Sequence, residues 1–280
     1  MNITVAMLWD MLGRSFAALE TEIYGGQPVR GIKLLPRSVS ALPEEYLYVE
    51  QRGDGVYLRC GGRGPARLET ERSMEELFNA LEDAFNRLRD WDMETHLALI
   101  GGCSAQRLLD LSEDILTNPI TLMDPGFSLL ARTRHAGTTS RVFREVCEKG
   151  YLPAETVEFY ALRSYLRELV QLGGDRATCV EGDFVTINRA IRRDGRVLGY
   201  LSMPCTHRPY SEGVAECFAY LCEGVAECME REIRSGAVQR YISESFLAEL
   251  IEGRHQTREA MEERLRYIGL PAQGEFALVV

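Results

Sequence analysis

Residues 184–203 of the sequence read FVTINRAIRRDGRVLGYLSM. The two halves of this segment, 184–192 and 197–203, are rich in β-branched and large apolar residues, and the residues between them include Asp194 and Gly195. An Asp-Gly pair between two such runs is typical of the tight turn of a β-hairpin. The pattern therefore predicts two antiparallel strands that are joined at residues 193–196.

A second hairpin is predicted upstream of the first. Residues 120–123 and 127–132 are strand-like, and an Asp-Pro-Gly sequence supplies the turn between them. Helical patterns at 140–149 and 154–172 occupy the chain between the two hairpins. Two hairpins with helices between them suit an antiparallel sheet with helices packed against it, and they do not suit alternating βα units. We assign residues 117–210 to such a domain and predict the α+β fold class.

The flanking sequence is assigned to four further segments. Residues 1–66 are predicted to form a small α/β domain with a helix at 5–19, strands at 31–35, 46–50 and 56–60, and a hairpin turn at Asp54 and Gly55. The others are a helical linker at 67–116, a long signalling and dimerisation helix at 211–252, and the start of a further domain at 253–280. Because 276–280 is an apolar strand with no partner after it, we expect the chain to be the front part of a longer protein.

Two predicted helices carry apolar stripes that could pair with a second copy of the chain. The helix at 73–91 begins with a capping box formed by Ser73 and Glu76, and apolar residues then recur at heptad-like spacing as far as Trp91. This stripe either packs within its own domain or forms a dimer. The helix at 211–251 has similar stripes, and we predict a homodimer through both helices.

Composition excludes several classes of protein. The 280 residues carry a formal net charge of −10, so a basic surface for nucleic acid is not expected. No apolar run approaches the ~20 residues of a membrane helix, and the first residues lack the basic region of a signal peptide. We predict a cytoplasmic protein without membrane contact.

The cysteines and histidines do not predict a metal or catalytic centre. The eight cysteines lack zinc-site spacing, and none of the four histidines begins a catalytic motif. Nucleophile-elbow, zinc-protease and phosphate-loop motifs are absent from the sequence. We predict no enzyme activity, no catalytic residue, no metal and no cofactor. Cys217 and Cys228 lie eleven residues apart and return to nearly the same helix face, which favours buried packing over a metal or redox pair.

Several segments resemble the PucR-type transcription regulators, a group that includes regulators of purine catabolism and of sugar-diacid use. FLAELIEGR at 246–254, YIGLP at 267–271 and the strand at 276–280 are similar to the opening of the family's central GGDEF-like domain. NPITLMD at 118–124, GYL at 150–152 and GRVLGYL at 195–201 are similar to the GAF- or PAS-like sensor that precedes this domain in many members. The resemblance covers roughly residues 115–280.

This resemblance implies a sensing region, a degenerate GGDEF-like domain and a carboxy-terminal helix-turn-helix that binds DNA. The family's DNA-reading helices have no counterpart in this sequence. We therefore expect contact with DNA only through a carboxy-terminal domain that the chain lacks.

A sensor at 117–210 would hold a small-molecule effector between one sheet face and the helices that cover it. Strand alternation places Thr186 and Asn188 on one face of their strand, and Tyr200 and Ser202 on one face of the next strand. These four polar residues are either pocket lining or solvent surface.

The predicted helix at 154–172 supplies further candidate ligand contacts, namely Phe159, Tyr160 and Arg163. Arg163 beside aromatic residues could hold a carboxylate through bidentate hydrogen bonds. The alternative is a solvated ion pair with Glu155, Glu158 or Glu168.

The sequence thus predicts the effector-sensing, dimerising portion of a PucR-like transcription regulator. An effector with different affinity for two arrangements of the helix at 211–251 would shift their populations. The alternative is a ligand-free interaction module with a degenerate sensor fold. A buried cavity of about 300 Å³ or more with convergent polar groups in the 117–210 domain would favour the sensor.

Overall fold

The computed structural model describes residues 1–13, 25–35, 42–53, 55–60, 64–134, 137–153, 156, 176–178, 183–234, 246–247, 251, 258, 261–262 and 265. The helices with bounds in these residues are α1 (Val5–Leu12), α2 (Met74–Ile100), α3 (Ala105–Leu116), α4 (Arg141–Lys149) and α5 (Glu212–Arg234). The strands are β1 (Ile32–Leu34), β2 (Leu47–Arg52), β3 (Gly55–Cys60), β4 (Ala66–Arg67), β5 (Thr121–Met123), β6 (Leu129–Arg132), β7 (Arg176–Thr178), β8 (Thr186–Arg193) and β9 (Arg196–Pro204).

The chain divides into two compact units. Unit 1 comprises residues 1–97, 114–116 and 210–220, and unit 2 comprises residues 98–113, 117–209 and 221–280. Unit 2 thus contains nearly all of the predicted sensor domain at 117–210. The finer division into five segments stays a prediction.

Unit 1 contains a four-stranded sheet in the order β1-β2-β3-β4. Strand β1 runs parallel to β2, and the β2–β3 and β3–β4 pairs are antiparallel. Arg52 lies opposite Gly55, so the hairpin predicted at the Asp-Gly turn is confirmed. The observed strands differ from the predicted ones by no more than two residues at either end.

Helix α1 is shorter than the helix predicted at 5–19. The Thr4 side chain accepts a hydrogen bond from the Met7 amide at 3.2 Å and begins the helix. Gly13 follows Leu12 with a φ of 76°, and its N–H donates to the Asp10 carbonyl at 3.2 Å. Glycine adopts this left-handed conformation readily and so ends the helix. The prediction of a helix that continues through residue 13 is wrong, and residues 14–24 lie outside the described residues.

Helix α2 confirms the predicted capping box. The Ser73 amide donates to Glu76 Oε2 at 2.9 Å, and the Glu76 amide donates to Ser73 Oγ at 3.1 Å. The stripe on this helix is buried within one chain, at Leu77, Leu81, Ala84, Leu88 and Trp91. These residues therefore pack inside the protein, which is the first of the two interpretations given for the stripe. A homodimer through 73–91 stays a prediction.

Unit 2 contains a five-stranded antiparallel sheet in the order β6-β5-β9-β8-β7. Both predicted hairpins are confirmed, and Asp194 and Gly195 have φ values of 48° and 76° in the tight turn. Strand β8 begins at Thr186, two residues later than predicted, and this residue lies opposite Pro204. The predicted α+β fold class with an antiparallel sheet at its centre is confirmed.

Helix α5 corresponds to the first part of the helix predicted at 211–252. Ser211 caps it, because its hydroxyl oxygen accepts a hydrogen bond from the Val214 amide at 3.1 Å. Residues 235–245 lie outside the described residues, and residues 246, 247 and 251 are helical. Among the helices described, none combines the length and the apolar character that a membrane span requires.

Glu216 on α5 is a half-buried carboxylate within unit 1, and it accepts a hydrogen bond from the Thr4 hydroxyl. Burial and the nearby charge of Glu212 raise the pKa of Glu216, and the bond from Thr4 offsets only part of this rise. The folded chain therefore binds this proton more tightly than the unfolded chain. Stability falls as pH rises from the unfolded pKa of about 4.3 through the raised folded pKa.

We expect Glu216→Gln to raise the unfolding temperature at neutral pH, because the neutral amide can still accept the Thr4 bond. The gain should shrink as pH falls toward ~4, where the carboxyl is protonated in both states. Thermal unfolding of both proteins across this pH range checks the prediction, with Glu223→Gln, at an exposed site on the same helix, as the matched control. A gain that did not depend on pH would contradict it.

Candidate functional site

The sheet of unit 2 has two faces of different character. On one of them, the α5 face, the side chains are apolar and almost fully buried at Leu122, Ile187, Ile191, Leu201 and Met203. Gly199 belongs to this face, and a Cβ built on it would lie 3.3 Å from Met229 Cε of α5. Helix α5 also holds the β8–β9 hairpin through an ion pair of 2.7 Å between Glu230 and Arg193.

The opposite face, the α4 face, carries an apolar row across three adjacent strands. Met123 lies opposite Tyr200, and Tyr200 lies opposite Ala190. The Phe127 ring stacks on the Tyr200 ring at 5.1 Å between centroids, with 14° between their planes. Val146 of α4 belongs to the same buried cluster. The part of the α4 face around this apolar row is therefore a filled aromatic and aliphatic core.

A polar row lies next to the apolar row on the same face. In register across neighbouring strands are Arg132, Thr121, Ser202 and Asn188. Thr121 is buried, Ser202 and Asn188 are half-buried, and Arg132 is exposed. The face thus passes from stacked rings to hydroxyl, amide and guanidinium groups within two residues along each strand.

The loop between β5 and β6 positions Phe127. Asp124 is fully buried, and its Oδ1 accepts a hydrogen bond from the Ser128 amide at 2.8 Å. Phe127 has a φ of 66°, which is uncommon for a residue with a side chain. Its carbonyl accepts from the Leu152 amide, and the Leu129 amide donates to the Gly150 carbonyl, both at 2.8 Å. The predicted Asp-Pro-Gly turn therefore holds an aromatic ring against the sheet.

A pocket of about 360 Å³ lies beside the β6 end of the polar row and is lined by Gln106, Arg132, Thr133 and Arg134. The Gln106 amide nitrogen donates to the Arg132 carbonyl at 2.7 Å, and the Arg132 amide donates to Gln106 Oε1 at 3.0 Å. Arg134 lies 3.7 Å from Asp110. Among the described residues, the Arg132 guanidinium has no acidic partner within ion-pair distance, so it can take an anionic group from solution.

The structure brings together the four strand residues singled out from the sequence. Thr186 and Asn188 share a face of β8, and Tyr200 and Ser202 share a face of β9, as strand alternation predicts, and the register between these strands places all four on one face of the sheet. Thr186 and Tyr200 are 9% and 5% exposed, so these two are not solvent surface. Their role in binding a ligand stays a prediction. The other candidates, Phe159, Tyr160 and Arg163, lie outside the described residues.

Three residues of this face were not singled out from the sequence, namely Thr121, Phe127 and Arg132. Their hairpin was predicted, but its register against β9 was not. Register decides which side chains stand beside Ser202, and no local pattern reveals it.

The predicted absence of a catalytic or metal centre stays a prediction. In the part of the chain that the structure describes, no three His, Cys, Asp or Glu side chains converge so that they could hold a metal ion. The polar row of the candidate face is suited to binding through hydrogen bonds.

Comparison with known proteins gives weak structural likenesses. No family model and no curated protein matches the sequence. The chain is similar to the GAF domain of an Acinetobacter phosphoenolpyruvate-protein phosphotransferase, with 11% identity over 54% of this chain and 94% of that one and a TM-score of 0.32. It is also similar to a bacteriophytochrome of R. palustris, with 15% identity over 80% of this chain and 53% of that one and a TM-score of 0.31. At these scores no residue role is transferred from either protein.

Proposed function

We propose that unit 2 is a small-molecule sensor that binds its effector on the α4 face of the sheet. The observation that carries the proposal is the polar row of Thr121, Ser202 and Asn188, in register beside the stacked Phe127 and Tyr200 rings. Ligand sites combine apolar walls with a few polar groups that fix orientation. The ring cluster closes one end of the face, and the row offers hydrogen bonds that select the ligand.

The position of Arg132 favours an effector with an anionic group. This exposed guanidinium lies in register with Thr121 and also lines the 360 Å³ pocket. Guanidinium groups bind carboxylates through two parallel hydrogen bonds. We therefore favour a small organic acid as the effector.

The sheet also offers a route from the effector to α5. An effector on the α4 face would act on β8 and β9, whose opposite face and hairpin contact α5 at Met229 and Glu230. Helix α5 would change position only if the effector had different affinities for two arrangements of these strands.

We further propose that the chain is the regulatory portion of a PucR-like transcription regulator that acts as a homodimer. The resemblance over 118–201 and 246–280 supports this assignment, and DNA would bind through a helix-turn-helix beyond residue 280. The test is the gene sequence after the codon for Val280. A continuation that encodes a helix-turn-helix is the expected result, and an immediate stop codon would overturn the assignment.

We test the sensor with thermal-shift screening against purines, dicarboxylates and phenols, followed by titration calorimetry of the compounds that stabilise the protein. Asn188→Ala should weaken binding about tenfold or more, because it removes one hydrogen bond to the ligand. Asn79→Ala, the same change at an exposed site on α2, is the matched control and should bind as the parent does.

Two results would contradict the sensor. If no compound of these classes stabilises the protein, the face is a filled core, and the ligand-free interaction module takes the place of the sensor. If a compound binds the parent and Asn188→Ala equally, it binds elsewhere and the polar row is not the site.

A further inference from the structure

A compact thiol cluster lies in unit 2, at the point where the chain leaves α2. The Cys228 thiol of α5 donates to the carbonyl oxygen of Cys103 at 3.0 Å. Arg231, one helical turn further along α5, donates to the Leu99 carbonyl at 2.6 Å and to the Cys103 carbonyl at 2.9 Å. These carbonyls belong to the carboxy-terminal end of α2 and the residues after it, where a guanidinium is the favoured partner.

The two cysteines of this cluster differ in access to solvent. Cys103 is half-buried, whereas Cys228 is completely buried. Burial, together with the neighbouring Glu232 and Cys103 side chains, raises the pKa of Cys228 to about 12, and Arg231 offsets only part of this rise. Thiolates and not thiols are the reactive form. An oxidant from solution therefore reaches Cys103 first, and Cys228 is protected from it.

The same contacts place Cys228 where it can react with an oxidised Cys103. Its sulfur touches the main chain of Cys103 and lies 3.6 Å from Glu232 Oε1. A disulfide therefore requires the Cys103 side chain to turn toward Cys228. The Arg231 guanidinium, whose Nη2 lies 3.9 Å from the Cys228 sulfur, favours the thiolate that attacks.

We propose that Cys103 and Cys228 are a redox-modification site that forms an intrachain disulfide with hydrogen peroxide. The Cys103 sulfur attacks one peroxide oxygen, the O–O bond breaks, and a sulfenic acid and one water form. The Cys228 sulfur then attacks the Cys103 sulfur, the S–O bond breaks, and the hydroxyl leaves as a second water with the proton of the Cys228 thiol. Two thiols are oxidised and one peroxide is reduced.

The disulfide would tie the segment after α2 to the middle of α5. Met229 and Glu230, which contact the sheet, are the residues next to Cys228 on this helix. Oxidation would therefore restrict α5 at the point where it contacts the sheet, whether or not an effector binds there. A reduced cellular thiol would restore the two cysteines.

The experiment oxidises the whole, pre-reduced chain with hydrogen peroxide, blocks the remaining thiols with N-ethylmaleimide and maps its peptides by mass spectrometry. We expect one linked peptide pair that contains Cys103 and Cys228, and the loss of two free thiols. This readout uses the unmodified protein, so it does not depend on whether a variant folds.

Variants then assign the order of events. In Cys228→Ser, Cys103 should accumulate as a sulfenic acid that dimedone captures, and in Cys103→Ser neither product should form. Cys147→Ser, at another half-buried cysteine, is the matched control and should give the same linked pair as the parent. If both thiols stay reduced while other cysteines oxidise, or if Cys103 links to a different cysteine, the proposal is wrong.

Discussion

Gly199→Ala is expected to lower the free energy of unfolding of unit 2 by about 3 kcal/mol, the upper end of the usual cost of overpacking. A Cβ on this residue would lie 2.4 Å from the Met123 carbonyl oxygen, a distance that real Cβ atoms do not show. Because the obstacle is a main-chain atom of the neighbouring strand, no side-chain rotation relieves it. Strands β5 and β9 would have to separate where Met123 faces Tyr200. Chemical denaturation of the parent and the variant measures the loss.

The matched control for this change is Gly64→Ala. Gly64 has no heavy atom within 4 Å of its built Cβ, so the substitution should change stability by no more than ~0.5 kcal/mol. Equal stability of Gly199→Ala and the parent would mean that β9 does not approach β5 as closely as the structure has it. The contact that we describe between the two strands would then be wrong.

Asn118→Ala is the second change with a large expected effect, also about 3 kcal/mol. Asn118 is completely buried before β5. Its amide nitrogen donates to the Arg208 carbonyl at 2.9 Å, and its Oδ1 accepts from the amides of His207 at 3.0 Å and Arg208 at 2.9 Å. Alanine would leave these three main-chain groups without the side chain that satisfies them. Denaturation measures the cost.

The control for Asn118→Ala is again Asn79→Ala, which removes the same amide from an exposed helix position and should be nearly neutral. Hydrogen exchange adds a local readout, because the amides of His207 and Arg208 should lose protection in Asn118→Ala. Unchanged protection of both amides would contradict the role we give to Asn118.

Local chemistry explains what could be predicted from the sequence. The hairpins at residues 53–55 and 193–196 and the capping box at Ser73 are each specified by residues that lie close together in the chain. Strand alternation alone places Thr186 with Asn188 and Tyr200 with Ser202 on the same face of their strands. The α+β class then follows from the order of these elements.

Contacts between distant segments explain what could not be predicted. Thr121 and Arg132 lie in one row with Ser202 because of the register between β5, β6 and β9, and this register is set by packing across the whole sheet. Phe127 lies on Tyr200 because its loop adopts an uncommon backbone conformation. Helical spacing pairs Cys228 with Cys217 of its own helix, whereas the structure places the Cys228 thiol against the main chain of Cys103, 125 residues away.

The helix predicted at 5–19 shows a different kind of error. The apolar pattern continues past residue 12, but the helical backbone ends at Gly13. Periodicity indicates which face of a helix is buried, and it carries less information about where the helix ends.

The paired hydrogen bonds between Gln106 and Arg132 have a consequence for solubility. Strand β6 is an outer strand of its sheet, and such strands present open main-chain groups on which other polypeptides can assemble. One side-chain amide imitates the N–H and C=O of a neighbouring strand at Arg132, and the 150–152 segment bonds to Leu129 at the other end. Main-chain groups at both ends of β6 are thus paired within the protein, which opposes strand-to-strand aggregation.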